Sequence, residues 1–171
     1  MASEIKGLTL IELVIVLAII GIIAALTTVE VSWWMRDSRL SEYRDRLLAD
    51  LEDVKLKSVA GVPYGIFPTA NGYEEKALTD ADDDFQRDTG ESSASLTPPV
   101  TVNLPTNYLL DWNNGAELWF DRKGVPRSST WASGAGTFRL WYDKNGNGSF
   151  DSDEQNKTII INSAGRIKYE Q

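Results

Sequence analysis

The chain contains neither cysteine nor histidine. Without cysteine there is no disulfide and no thiolate nucleophile; without histidine the usual general base is gone, and a zinc site loses both of its preferred ligand types. Hydrolases built on those pairs are excluded, and no catalytic residue is assigned. Carboxylates remain, and two of them suffice for glycoside hydrolysis, but here they cluster in segments that read as solvated loops. A long basic stretch is also lacking. Against 25 Asp and Glu stand 17 Lys and Arg, for a net charge of −8, which gives no sequence-independent grip on phosphates. No nucleic-acid partner is predicted. Glycine and proline are missing from residues 22–60, so nothing there interrupts a helix. The length of 171 residues has room for one membrane helix and a single small domain.

What is present at the start is an apolar run, Leu8 to Leu26, holding one carboxylate, Glu12. A charge at the centre of a membrane segment costs about 2.5–3.5 kcal/mol on insertion scales, so such an acid is read as functional and needs a partner. The run follows a short polar leader, Met1 to Lys6, and then Gly7. It is longer than the apolar region of about 7–15 residues in a secretory signal peptide, and Ala24 and Ala25 make a weak cleavage site. A helix from Leu8 to Trp33 extends about 40 Å at about 1.5 Å per residue. That crosses a hydrocarbon core of about 30 Å and sets Trp33 and Trp34 near the far interface, where indoles sit.

The string Lys6-Gly7-Leu8-Thr9-Leu10-Ile11-Glu12-Leu13 resembles the processing site of type IV prepilins and of the pseudopilins of type II secretion. The resemblance implies that prepilin peptidase cuts after Gly7 and N-methylates Leu8, where the family prefers Phe or Met. It implies that Glu12 neutralises the new amine, in its own chain or, as the family favours, on a neighbouring subunit. Expected partners are the peptidase, other pilin or pseudopilin subunits and the bacterial inner membrane, crossed once, with the C-terminal domain in the periplasm. In an assembled filament that domain is periplasmic or at the cell surface.

Four regions are expected: a leader over 1–7, a transmembrane and assembly helix over 8–34, an amphipathic continuation over 35–60, and a β-rich domain over 61–171. In the continuation Leu40, Tyr43, Leu47, Leu51 and Val54 recur every three or four residues and predict a buried stripe. Gly61 and Pro63 stop the helix. Tyr64 to Tyr73 reads as a strand closing near the Asn71-Gly72 turn. The acidic, Ser- and Thr-rich segment 74–99 reads as a long exposed loop, either a solvated insert or a contact surface for a partner. Glu117 to Asp121, Thr137 to Tyr142, Thr158 to Asn162 and Arg166 to Tyr169 read as short strands with turn signals between them. The fold class is therefore α+β, a long N-terminal helix packed on an antiparallel two-sheet domain. Leu118 to Gly124, Thr137 to Leu140 and Ile159 to Ile167 resemble the C-terminal half of the minor pseudopilin H family, the GspH/FimT group. That likeness implies a pilin-like, mostly antiparallel body on the helix.

Asp143 to Glu154 follows the twelve-residue calcium-loop pattern. Asp143, Asn145, Asn147, Asp151 and Glu154 supply side-chain oxygens, Ser149 a backbone carbonyl, and Gly148 the sharp turn at the sixth place, with apolar Phe150 expected inward. An all-oxygen set suits Ca2+ better than a transition metal. The flanks read as strands, so a polar Asn-Gly hairpin turn without an ion is the competing reading. The competing reading of the whole is a membrane-anchored calcium-binding domain that does not polymerise.

Overall fold

The computed structural model describes residues 9–69, 71–82, 84–88, 91–96 and 99–170, with side chains described for all of these except 25–30 and 95. Among the described residues there is one helix, α1 (Leu10–Ala60), and ten strands. The chain divides into two units, Met1–Arg36 and Asp37–Gln171.

In the first unit the large apolar side chains from Leu10 to Ile23 are between 47% and 81% exposed. Among the described residues no helix is long and apolar enough to cross a membrane. The span expected from Leu8 to Leu26 starts on a residue outside those described and ends in side chains that are also outside them.

In the second unit, α1 and two antiparallel sheets share one core, the α+β arrangement expected. The predicted stripe is the buried face of the helix: Leu40, Leu47, Leu51 and Val54 are fully buried, and Tyr43 packs at the edge. Each such burial stabilises by about 1.5–3 kcal/mol. One residue continues the stripe to Ser58, whose hydroxyl donates to the Val54 carbonyl and accepts the Tyr64 N–H, both at 2.9 Å. This joins the end of the helix to the first strand.

The first sheet runs β3 (Ser92–Ser95), β2 (Gly72–Thr79), β1 (Tyr64–Thr69), β6 (Leu118–Phe120), β7 (Pro126–Arg127), with β4 (Thr101–Asn103) also paired to β2. The second runs β10 (Ile167–Glu170), β9 (Asn156–Ile161), β8 (Gly136–Tyr142), β5 (Tyr108–Trp112). Ile66, Tyr73, Leu118 and Phe120 of the first sheet meet Tyr108, Leu110, Phe138, Leu140, Ile159 and Ile161 of the second. The strand expected over Tyr64 to Tyr73 is corrected: β1 ends at Thr69, which pairs with Gly72 at the start of β2, and only glycine fits at that point, since a Cβ on Gly72 would lie 1.9 Å from the Val102 carbonyl oxygen.

The exposed-loop reading of 74–99 is corrected at its two ends, over 74–79 and 92–95, while the described residues between them form no strand. β2 continues to Thr79 and pairs with β3, and Glu75 and Leu78 are buried. The reason is pairing that the local sequence does not show. Lys57 Nζ on α1 lies 3.1 Å from Glu75 Oε2 and 2.6 Å from Asp53 Oδ2, so the buried carboxylate is compensated. Further on, the Arg87 guanidinium pairs with the carboxylate of Glu117 and lies 5.8 Å from the centre of the buried Trp119 ring.

Candidate functional site

The 143–154 loop joins β8 to β9, strands on both sides as expected. Asp143 organises its first half. Its Oδ1 accepts the N–H groups of Gly146 at 2.6 Å and Asn147 at 3.2 Å, and its Oδ2 accepts that of Gly148 at 2.8 Å. Led by the Gly148 bond, these donors outweigh burial and hold the carboxyl below the usual carboxylate range. Gly146 and Gly148 have φ of +74° and +73°, a conformation glycine takes without strain. Asn145 Oδ1 accepts the Asn147 N–H at 3.0 Å and Asn147 Oδ1 the Ser149 N–H at 2.7 Å. Glu154, buried at the far end, accepts the Lys144 N–H at 2.8 Å and the Asp151 N–H at 3.1 Å on its two oxygens. Both Asn145 and Asn147 amides donate to Asp151 Oδ2, at 2.8 and 3.0 Å.

Five of the six expected oxygen-bearing residues are thus drawn into one hydrogen-bonded ring, and Ser149 follows Asn147 along it. Three carboxylates and two amides are the hard-oxygen ligand types that Ca2+ takes, but the carboxylate oxygens of Asp143, Asp151 and Glu154 do not all lie within 4.8 Å of one another, so the loop would have to tighten to hold an ion. The half-buried Phe150 packs edge-on to Trp141, ring centres 6.3 Å apart, with the Arg139 guanidinium 4.5 Å from its own centre. It anchors the loop on the outer face of the second sheet.

In the first unit, α1 opens at Thr9. The Thr9 N–H and hydroxyl both donate to Glu12 Oε2 at 2.9 Å, and the Glu12 N–H donates to the Thr9 hydroxyl at 3.3 Å. This is a capping box, in which the N-cap residue and an acid three places on satisfy each other's orphan donors. The box uses Oε2 and leaves Oε1 outside it. A carboxylate also suits the positive end of the helix dipole. Thr-x-x-Glu ahead of an apolar run is a helix-start signature in sequence, so Glu12 has a capping role besides the counter-charge role expected of it. Gly7 and Leu8, the expected cleavage and methylation positions, lie outside the described residues.

Residues 3–28 match the family model of the prokaryotic N-terminal methylation motif. The motif is typical of type IV pilin-like proteins and indicates prepilin processing, with the prepilin peptidase and other pilin subunits as its implied partners. It suggests a membrane-anchored or envelope location. Neither the curated proteins nor the solved structures give a match to this chain. The methylation motif ends within α1 and does not reach the β-rich domain.

Other charged groups in the domain have structural work. The Asp121 carboxylate accepts the Lys123 and Val125 N–H groups and two bonds from Arg127, which closes the β6–β7 turn. Tyr73 donates its hydroxyl to Asp50 at 2.5 Å, and burial, then that bond, push its phenol far up. One carboxylate oxygen each from Asp80, Asp82 and Asp84 lies within 4.8 Å of the others in an exposed loop. These carboxylates accept main-chain N–H groups of the same loop, those of Phe85, Asp84 and Gln86.

Proposed function

We propose that this chain is a minor pilin or pseudopilin, a structural subunit of a type IV pilus or a type II secretion pseudopilus, of the GspH/FimT kind. Prepilin peptidase cuts it after Gly7 and methylates Leu8, and it assembles through its N-terminal helix. The observation that carries this reading is the methylation motif over residues 3–28, with Glu12 in the first turn of α1. The exposed apolar side chains from Leu10 to Ile23 support it, because a surface of that kind needs an apolar cover. The inner-membrane lipid covers it before assembly and neighbouring subunits cover it afterwards. Both surroundings are apolar, so transfer between them is feasible.

Cleavage exposes an α-amine one turn from Glu12. Away from water that charge needs a partner, and Glu12 of an adjacent subunit supplies it. The domain performs no catalysis and faces the periplasm. Its 143–154 loop holds Ca2+ through side-chain oxygens of Asp143, Asn145, Asn147, Asp151 and Glu154 and the Ser149 carbonyl. A bound cation would neutralise the carboxylates of Asp143, Asp151 and Glu154, draw them together and tie β8 to β9.

The assembly step is tested at Glu12. Glu12→Ala is expected to leave insertion and cleavage intact and to exclude the subunit from filaments; normal incorporation overturns the mechanism. Glu12→Gln separates the two roles of the residue, since glutamine still closes a capping box but carries no charge. It is expected to be as defective as Glu12→Ala. Incorporation rescued by glutamine would make the cap, not the counter-charge, the requirement.

A further inference from the structure

The second sheet ends at β5, which pairs only with β8. The Asn113 N–H donates to the Thr137 carbonyl and the Asp143 N–H to the Asn107 carbonyl, on the same register that sets Leu109 opposite Trp141 and Asp111 opposite Arg139. Hydrogen-bonded pairs alternate in an antiparallel ladder. Leu109 and Asp111 therefore turn their main-chain groups toward β8, and Tyr108, Leu110 and Trp112 turn theirs outward. The Tyr108 N–H is taken by the Pro105 carbonyl at 3.0 Å. Among the described residues the N–H and C=O of Leu110 have no partner.

A cleft of about 690 Å³ lies over the outer face of β5 and β8 and reaches this edge at Leu110, walled by Arg139 and Trp141 of β8, by residues 148–150 of the loop and by Asn71. The Leu110 side chain is buried in the core, so that residue meets the cleft through its main chain. The outer face of β5 carries half-buried Leu109 and, two places on, exposed Asp111. Asp111 takes part in no ion pair among the described residues.

We propose that the open edge of β5 binds an extended peptide strand that sets an apolar residue beside Leu109 and, two places away, a basic residue beside Asp111. Main-chain hydrogen bonds supply the affinity in strand addition, and the alternate side chains supply the selectivity. A strand puts residues i and i+2 on one face, which matches the spacing of Leu109 and Asp111. The basic residue is chosen by the Asp111 carboxylate, which makes no ion pair with Arg139 opposite it because that guanidinium lies over the Phe150 ring, and opposite charges across a strand pair stabilise the pairing. Strand addition at β5 needs neither the filament nor a bound ion, and of the 143–154 loop it uses only the cleft wall at residues 148–150.

The test uses the full chain in detergent micelles and a capped peptide, acetyl-Thr-Thr-Lys-Thr-Val-Thr-Thr-amide, whose Lys and Val meet Asp111 and Leu109 in antiparallel addition, followed by amide hydrogen exchange and NMR. In the free protein the Leu110 amide is expected to exchange faster than those of Leu109 and Asp111, and the peptide is expected to slow it. A peptide N-methylated on the amides that face β5 is expected to have no effect. Replacing the peptide lysine by glutamate is expected to weaken binding about 1.5- to 5-fold, and Asp111→Lys to reverse that preference. A Leu110 amide already protected in the free protein overturns the proposal. So does an exchange rate unmoved by the peptide, or equal binding by the N-methylated peptide.

Discussion

Replacing a chelator by calcium is expected to raise the unfolding midpoint of the β-rich domain by about 10 °C. Extracellular calcium modules bind with Kd of about 10⁻⁴ to 10⁻³ M, tightening with the number of ligand charges. The loop brings three carboxylates to its ring, which places it toward the tighter value. About 10 mM Ca2+ is then a roughly 100-fold excess, worth about 2.7 kcal/mol of stability by linkage. For a unit the size of Asp37–Gln171, each kcal/mol moves the midpoint by about 4 °C. Calorimetry or near-ultraviolet circular dichroism reads the shift, the latter through Trp141 beneath Phe150. Two variants locate the effect. Asp151 is half-exposed and accepts only two side-chain amides, so Asp151→Asn is expected to leave the midpoint in chelator nearly unchanged and to abolish most of the calcium shift. Asp143 accepts three main-chain N–H groups, so Asp143→Asn is expected to lower the midpoint in chelator as well. An identical wild-type midpoint in calcium and chelator refutes the site, as does an Asp151→Asn variant that keeps the full shift.

Ser58→Ala strips the part-buried Tyr64 N–H of its acceptor, at a cost of about 1 kcal/mol, readable by urea unfolding; unchanged stability would mean that this N–H finds another acceptor. Burial lifts the Glu75 carboxyl above its ordinary 4.5, against the pull of Lys57. The native state then keeps a proton that the unfolded chain has released, so this group's contribution to stability falls as pH rises through the window directly above 4.5. Glu75→Gln is expected to flatten that part of the stability–pH curve, and an unchanged slope would contradict the assignment. Asp143 has the opposite sign: its lowered value contributes stability that is present above about 3.9 and lost as pH falls through the folded value.

Elements whose periodicity is local were legible before the structure. Leu40, Leu47, Leu51 and Val54 announce one helix face by spacing alone, and the apolar strands β8 and β9 stand between clear turn residues. The polar 143–154 loop between two strands was legible because its glycines, Asn and Asp punctuate two apolar runs. β2 was hidden because Glu74, Glu75 and Lys76 read as a polar loop, and only Lys57, eighteen residues away, makes a buried Glu75 tolerable. β5 was hidden too, since its short run is broken by Asp111 and its partner β8 lies far along the chain. Arg87 shows the same limit, being held by Glu117 from another strand region. The Thr9–Glu12 box was open to a local reading, but the same glutamate also answered to the processing pattern, and one role masked the other.

On the proposed function, proteolysis creates a new, methylated N-terminus that Glu12 then serves. Mass spectrometry of the intact protein purified from its native membrane measures this directly. The expected result is a chain beginning at Leu8 and carrying one methyl group on its α-amine. A chain still beginning at Met1, or one trimmed past the apolar segment, would contradict it.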